Sequence, residues 1–243
     1  MKGLFKRISA ALILTLLSAG IFAAQYEQNP LQYFKDNRKP DYEFAMDKAK
    51  EIKETLEKQG YPYALEAAAI VFPEMIRYSA FQNEIESLIN ELLAFTSEES
   101  SGFSIGLMQM KPDFAVKIEK IIATYPDFEK KYASINFKGD SSSSKARHDR
   151  ILRLRQLDYQ IEYLKAFMDY EIMVLNLKDE NQNTKIKYLS AAYNYGIQAT
   201  RKPLEDIFGW KSYPSGKRNL YFNYQKLCLE AAEELNFLVL KSL

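Results

Sequence analysis

An all-α fold is predicted by three observations on the 243-residue sequence. Apolar residues recur at spacings of three and four, most extensively at Ile151, Leu154, Leu157, Ile161, Leu164, Met168, Ile172 and Leu175, which is the period of a helix face. Proline and glycine stand where helices should start and stop, as at Pro40, Gly60, Pro112 and Gly196. No strand-like alternation of any length is present.

Residues 25–38 are polar and aromatic without a clear period and read as an extended arm. Pro40-Asp41 opens a helix to about Gln59, with Phe44, Ala45, Ala49, Ile52 and Leu56 on one face. Tyr61-Pro62 is a turn, and a second helix begins near Tyr63 and passes through an apolar run to Pro73. A proline has no N–H for the helix ladder, so the helix is expected to end, kink or restart there and to leave Glu74 at a break. Residues 81–95 form a helix with Ile85, Leu88, Ile89, Leu92 and Leu93 inward, and 96–102 a polar linker. Short helices follow at 112–122 and 127–132, then a serine-rich loop at 138–144. The periodic stretch 151–175 reads as one long helix, about 40 Å from end to end. A further helix holds Tyr188 to Tyr195 and stops at Gly196. Residues 203–207 are a short helix, 209–216 a loop containing Trp210, and 218–240 the last helix.

The first 24 residues place Lys2, Lys6 and Arg7 before the uncharged run 8–22 and the small residues Ala23-Ala24. That is the order of a secretory signal peptide, and the run is also compatible with an uncleaved N-terminal anchor. Its removal would leave 219 residues and shift the formal net charge from +1 to about −2, a balance that argues against a nucleic-acid partner. Cys228 is the single cysteine, which excludes an intrachain disulfide, so the core must come from the 47% of hydrophobic residues. No spacing suggests a metal site, and His148, beside Arg147 and Asp149, reads as a solvated helix-start residue. No cofactor is expected.

The chemistry concentrates around the apolar run Ala67 to Phe72, which delivers Pro73-Glu74. A carboxyl beside such a run is drawn toward its neutral form and can serve as a general acid. A helix start at Pro73 and the pairing of Glu74 with Arg77 three residues on would act the other way. Glu86 and Glu99 are alternative acids, each followed by serine, but one lies in a well-patterned helix and the other in a polar linker that should leave it ionised. About thirty residues after Glu74 comes Gly106-Leu107-Met108-Gln109-Met110-Lys111-Pro112, a small-residue turn leading into an apolar wall.

Glu74, the segment Gly106-Leu107-Met108-Gln109 with Pro112, and the run Ala191-Ala192-Tyr193-Asn194-Tyr195-Gly196 together resemble the ordered signature of the lysozyme-like superfamily. The similarity is to soluble lytic transglycosylases first and goose-type lysozymes next. Gln160-Ile161-Glu162-Tyr163-Leu164 is similar to a helix lying between the family's two stronger motifs, and Arg218-Asn219-Leu220-Tyr221 loosely to the start of its last helix. The resemblance implies a lysozyme-like helical domain over residues 61–243, preceded by an N-terminal helical extension over 25–60. It implies an exported enzyme of the periplasm or cell envelope that cuts peptidoglycan glycan strands with one glutamate, Glu74. Met108, Gln109, Tyr193, Asn194 and Tyr221 would then meet the substrate, and envelope secretion or wall-remodelling machinery would be a partner. A goose-type hydrolase would need a second carboxylate, for which Glu98 and Glu99 are candidates. A non-catalytic wall-binding or secretion-apparatus protein that keeps the cleft is the alternative from another class.

Overall fold

The computed structural model describes residues 29–81, 103–137, 143–214 and 222–242. The signal segment, the 81–95 helix beyond Phe81, Glu86, Glu98, Glu99, most of the serine-rich loop and Tyr221 lie outside them. The described chain is all-α apart from one short antiparallel ribbon. Among the described residues no helix is long and apolar enough to cross a membrane.

The N-terminal arm is helical where an extended segment was expected: α1 spans Pro30–Asn37. Asn29 caps it by accepting the Gln32 N–H at 3.0 Å, and Pro30 sits where a missing N–H costs nothing. The cap was the signal; eight residues are too few for a period to be read. Helix α2, Lys39–Lys58, buries Ala45, Met46, Ala49, Ile52 and Leu56. It closes with Gly60 at φ +70 and with paired bonds from Tyr61 to Leu56 and from Gly60 to Glu57, the glycine-terminated cap that satisfies its last carbonyls.

Helix α3, Ala64–Ala80, is the centre of the protein, with every residue from Ala64 to Ile76 buried. It continues through Pro73 and neither ends nor restarts there, two of the outcomes the sequence led one to expect. An interior proline costs about 3 kcal/mol, whereas burying a single large apolar side chain returns about 1.5–3 kcal/mol. Ile70, Val71, Phe72, Met75 and Ile76 are all buried around it, so packing wins. Two tyrosine hydroxyls brace the turns beside the proline: Tyr213 donates to the Pro73 carbonyl at 2.7 Å and Tyr224 to the Ile70 carbonyl at 2.9 Å.

After α3 the described chain resumes before α4, Pro112–Thr124, and α5, Pro126–Lys131. The stretch expected as one long helix is two, α6 at Ser144–Leu154 and α7 at Leu157–Val174, with Gln156 extended between them. The break frees the Leu154 carbonyl for the side-chain amide of Gln160. A buried Arg150–Glu119 pair, with Tyr163 donating to the same carboxylate at 2.6 Å, joins α6, α4 and α7.

Helix α8, Gln182–Tyr195, is capped by Asn181 and ended by Gly196 at φ +125. A short α9, Lys202–Glu205, precedes strand β1, Lys211–Tyr213, which pairs with β2, Phe222–Asn223. Strands this short show no alternation to read. Because Phe222 and Asn223 are in the ribbon, α10 starts at Tyr224, later than expected, and runs to Ser242. Helix α1 docks on α10 through Leu31 N–H to Glu230 and Lys35 to Glu234.

One buried acid makes the stability depend on pH. Glu171 on α7 is fully buried; one carboxyl oxygen accepts the Gln198 N–H at 3.1 Å and the other has no partner. Burial raises its pKa to about 8. A carboxyl raised on folding stabilises fully below its unfolded pKa, and that contribution disappears as pH climbs through the folded value. The melting temperature should therefore fall between pH 5 and pH 8 in the wild type relative to Glu171→Gln. At pH 8.5 the variant should melt higher by on the order of 5 °C in scanning calorimetry; parallel curves would refute the assignment.

Candidate active site

Four segments converge on a cleft of about 410 Å³. Helix α3 supplies Glu74 and Arg77, the segment before α4 supplies Gln109, Met110 and Lys111, α4 supplies Asp113, Phe114 and Lys117, and the end of α8 supplies Tyr193, Asn194 and Tyr195. Glu74, Gln109, Tyr193 and Asn194, separated by as much as half the sequence, thus face one space.

The turn at residues 105–110 is a built wall. Ile105 and Met110 exchange backbone hydrogen bonds at 2.9 and 3.0 Å, and Gln109 N–H closes on the Gly106 carbonyl at 3.0 Å. Gln160, 1% exposed, accepts the Met108 N–H at 3.0 Å and donates to the Ile105 and Leu154 carbonyls. Gly106 has φ +68, and a Cβ there would lie 1.7 Å from Gln160 Nε2 and 2.5 Å from the Leu154 oxygen. Gln109 takes the left-handed φ of +50, which costs an L-residue about 1–2 kcal/mol. Its side-chain Nε2 donates to the Gly106 carbonyl at 2.8 Å, so the strained backbone is held from two sides. Strain of this kind gathers at ligand-contacting positions.

Met108 was expected on the cleft wall, and the structure places its side chain elsewhere, fully buried in the core. Only its backbone serves the site: the carbonyl accepts the Tyr193 hydroxyl at 2.7 Å. Tyr193 thereby spends its hydrogen on the turn, and its ring is fixed edge-on between Phe114 and Phe167, each 5.6 Å away. It braces the wall and leaves a ligand only its oxygen as an acceptor. Asn194 Nδ2 reaches Ser212 Oγ at 3.3 Å, tying the end of α8 to β1. Tyr195, 53% exposed, meets Trp210 edge-on at 5.8 Å.

Glu74 is 4% exposed. It lies inside α3, so the helix-start dipole that would have favoured its ionised form is absent. The Arg77 pairing is present, Nη1 to Oε2 at 2.9 Å, while Arg77 is also held by the Pro214 carbonyl and lies over the Tyr213 ring. Burial raises the Glu74 pKa and outweighs the opposing pulls of Arg77 and Lys111. Burial pulls the Arg77 pKa down, but the neighbouring carboxylate together with the Tyr213 and Tyr224 hydroxyls raises it on balance, which by itself favours a charged pair. The loss of hydration at an almost fully enclosed carboxyl is the larger effect, because the guanidinium is shared with Pro214 and stays a quarter exposed. Tyr224 has one hydrogen, donated to Ile70. While that bond holds, its oxygen can only accept from a protonated Glu74.

Sequence reading named Glu74, Arg77 and the two motif segments but missed Gln160 as a clamp, Asp113 and Lys117 as lining, and the tyrosine braces. Gln160 was visible within a quoted motif; the tyrosines were hidden among seventeen. Among the described residues no group of histidine, cysteine and acid side chains could hold a metal ion. No family model, curated protein or solved structure matches the chain. The class of protein that this cleft defines therefore comes from its residues: an all-α protein with one nearly enclosed carboxyl in an open groove.

Two measurements check this site without assuming an activity. Carbon-detected NMR titration should place the Glu74 pKa above an ordinary glutamate, and Arg77→Ala should move it higher still; a fall would mean that the pairing is not the main opposing pull. Gly106→Ala should destabilise by about 2 kcal/mol or more, read as a lower denaturation midpoint, since neither Gln160 nor the Leu154 carbonyl can withdraw without losing hydrogen bonds.

Proposed function

We propose that the protein is an exported enzyme that cuts the glycan strands of peptidoglycan, with a lytic-transglycosylase reaction on the bond between N-acetylmuramic acid and N-acetylglucosamine. The single observation that supports it best is Glu74: a carboxyl 4% exposed, biased toward its protonated form by burial, on the wall of a groove. Export rests on the character of residues 1–24. The exposed Tyr195 ring and its neighbour Trp210 suit the apolar face of a sugar.

In this reaction Glu74 gives its proton to the glycosidic oxygen as the C1–O bond breaks, leaving an oxocarbenium-like sugar and a glutamate anion beside Arg77. The C6 hydroxyl oxygen of the same sugar then bonds to C1, and its proton returns to Glu74. The products are a strand with a 1,6-anhydro end and a strand with a free 4-hydroxyl, and the acid is restored. One carboxyl performs both transfers.

A hydrolytic reading has one residue in its favour. Asp113 lines the same groove and is exposed, where a second carboxylate could orient water. Digests of purified sacculi separate the two by mass spectrometry: 1,6-anhydro-muramyl ends are expected, and products that have only gained water would reject the transglycosylase reaction. Glu74→Gln should lower the rate by at least about 100-fold, and an unchanged rate would remove Glu74 from the role. Asp113→Asn should retain most activity, whereas a collapse would favour the hydrolase. The rate should decline as pH rises through the Glu74 pKa, because the acid works only when protonated.

A further inference from the structure

Two cations in the groove take no part in the proton transfers themselves. Lys111 precedes α4 and Lys117 lies within it; both line the groove and both are exposed. Neither makes an ion pair with any described residue, whereas Lys35, Lys53, Lys131 and Lys165 each lie within 3 Å of a carboxylate. Among the described residues, with Glu74 protonated, the charged lining is Arg77, Lys111 and Lys117 against Asp113, an excess of two positive charges. A groove of that sign attracts and orients an anion.

Position gives the two lysines different tasks. Lys111 stands just before the first turn of α4 and Lys117 within the helix, so the two charges meet the groove at different places and suit two carboxylates of a bound strand. Lys111 is one of the groups that pull Glu74 toward its ionised form. A carboxylate bound at Lys111 would neutralise that pull and leave Glu74 better poised to donate.

We propose that the groove selects a glycan bearing carboxylates, with Lys111 and Lys117 reading the negative charges. This rests on the reading of the groove as a glycan site. The carboxylates could belong to lactyl-peptide substituents or to uronate rings, and the same lysine chemistry would serve either.

Calorimetric titration on the full chain carrying Glu74→Gln, which blocks cutting, tests the proposal with four probes. They are a peptide-bearing muramyl tetrasaccharide, the same molecule with its carboxyls amidated, a hyaluronate tetrasaccharide and uncharged chitotetraose. Amidation should weaken binding roughly tenfold, and adding Lys117→Gln should remove roughly threefold from the carboxylated probes only, as expected for solvated charge pairs. Lys117→Arg should keep the preference, and raised salt should erase it. Tighter binding of the muramyl probe than of hyaluronate would assign the charge to the substituent, and the reverse to the ring. Equal affinity for charged and amidated probes, or an equal loss on both in Lys117→Gln, would overturn the proposal while leaving a glycan site standing. Binding of none of the four would overturn the glycan site itself. In protein with Glu74 intact, the muramyl probe should raise the Glu74 pKa by NMR and its amidated form should raise it less. No difference would reject the link between ligand charge and the acid.

Discussion

The amide of Gln160 is the constraint on which the groove depends. One buried side chain meets three backbone groups: the Met108 N–H and the Ile105 and Leu154 carbonyls. A buried amide left without partners would cost about 1–3 kcal/mol for each missing bond, so these contacts hold together or fail together. They explain why α6 and α7 are separate, since a continuous helix would use the Leu154 carbonyl for itself. They explain Gly106, whose missing side chain is the space that Gln160 occupies. They also fix the Met108 carbonyl on which Tyr193 hangs. The wall opposite Glu74 thus rests on one amide that does not touch the groove.

A second structure of the same kind holds the acid. Proline in α3 deprives the Ala69 carbonyl of its ordinary donor, and the helix survives because α2, α8 and α10 pack around it. Tyr213 and Tyr224 add bonds to carbonyls of the turns that contain Pro73 and Glu74. The same packing that sustains the helix dehydrates the carboxyl. Stability and acidity therefore share a cause, and relief of crowding around α3 would weaken the helix while returning Glu74 toward ordinary carboxylate behaviour.

Much of the fold was legible because helices announce themselves over many residues. The face of α2, the glycine stops at Gly60 and Gly196 and the proline starts of α4 and α5 all agree with local rules. Misreadings fell where a distant partner overrides a local preference. Pro73 does not stop α3 because burial exceeds its cost, and the continuous period of 151–175 hides a break made by Gln160, which bonds across to the 105–110 turn. Helix α1 was missed because its apolar face is short and its docking partners, Glu230 and Glu234, lie about two hundred residues away. Within the groove, Glu74 and Gln109 could be named from motifs. Met108 could not be told from its neighbours, since whether a turn side chain points to core or groove depends on the path of the chain.

In the proposed reaction Glu74 acts first as an acid and then as a base, which needs both protonation states within reach, and it is placed between opposing pulls. Burial favours the neutral form needed at the start, and Arg77 at 2.9 Å favours the anion left when the proton has gone. A carboxyl with burial alone would hold its proton too firmly to protonate a glycosidic oxygen, whereas one with the arginine alone would be ionised before the substrate arrived. Arg77 is anchored independently by the Pro214 carbonyl and the Tyr213 ring, so it need not move when the proton leaves. A fixed charge that stabilises the anion without rearrangement is what preorganised catalysis requires. In the proposed reaction the anion appears beside a sugar that has become positive at C1, so the strand itself supplies a second stabilising charge at that step. The balance at Glu74 then shifts with the progress of the reaction, from burial at the start to Arg77 and the oxocarbenium in the middle, and one carboxyl can serve both halves of the cycle.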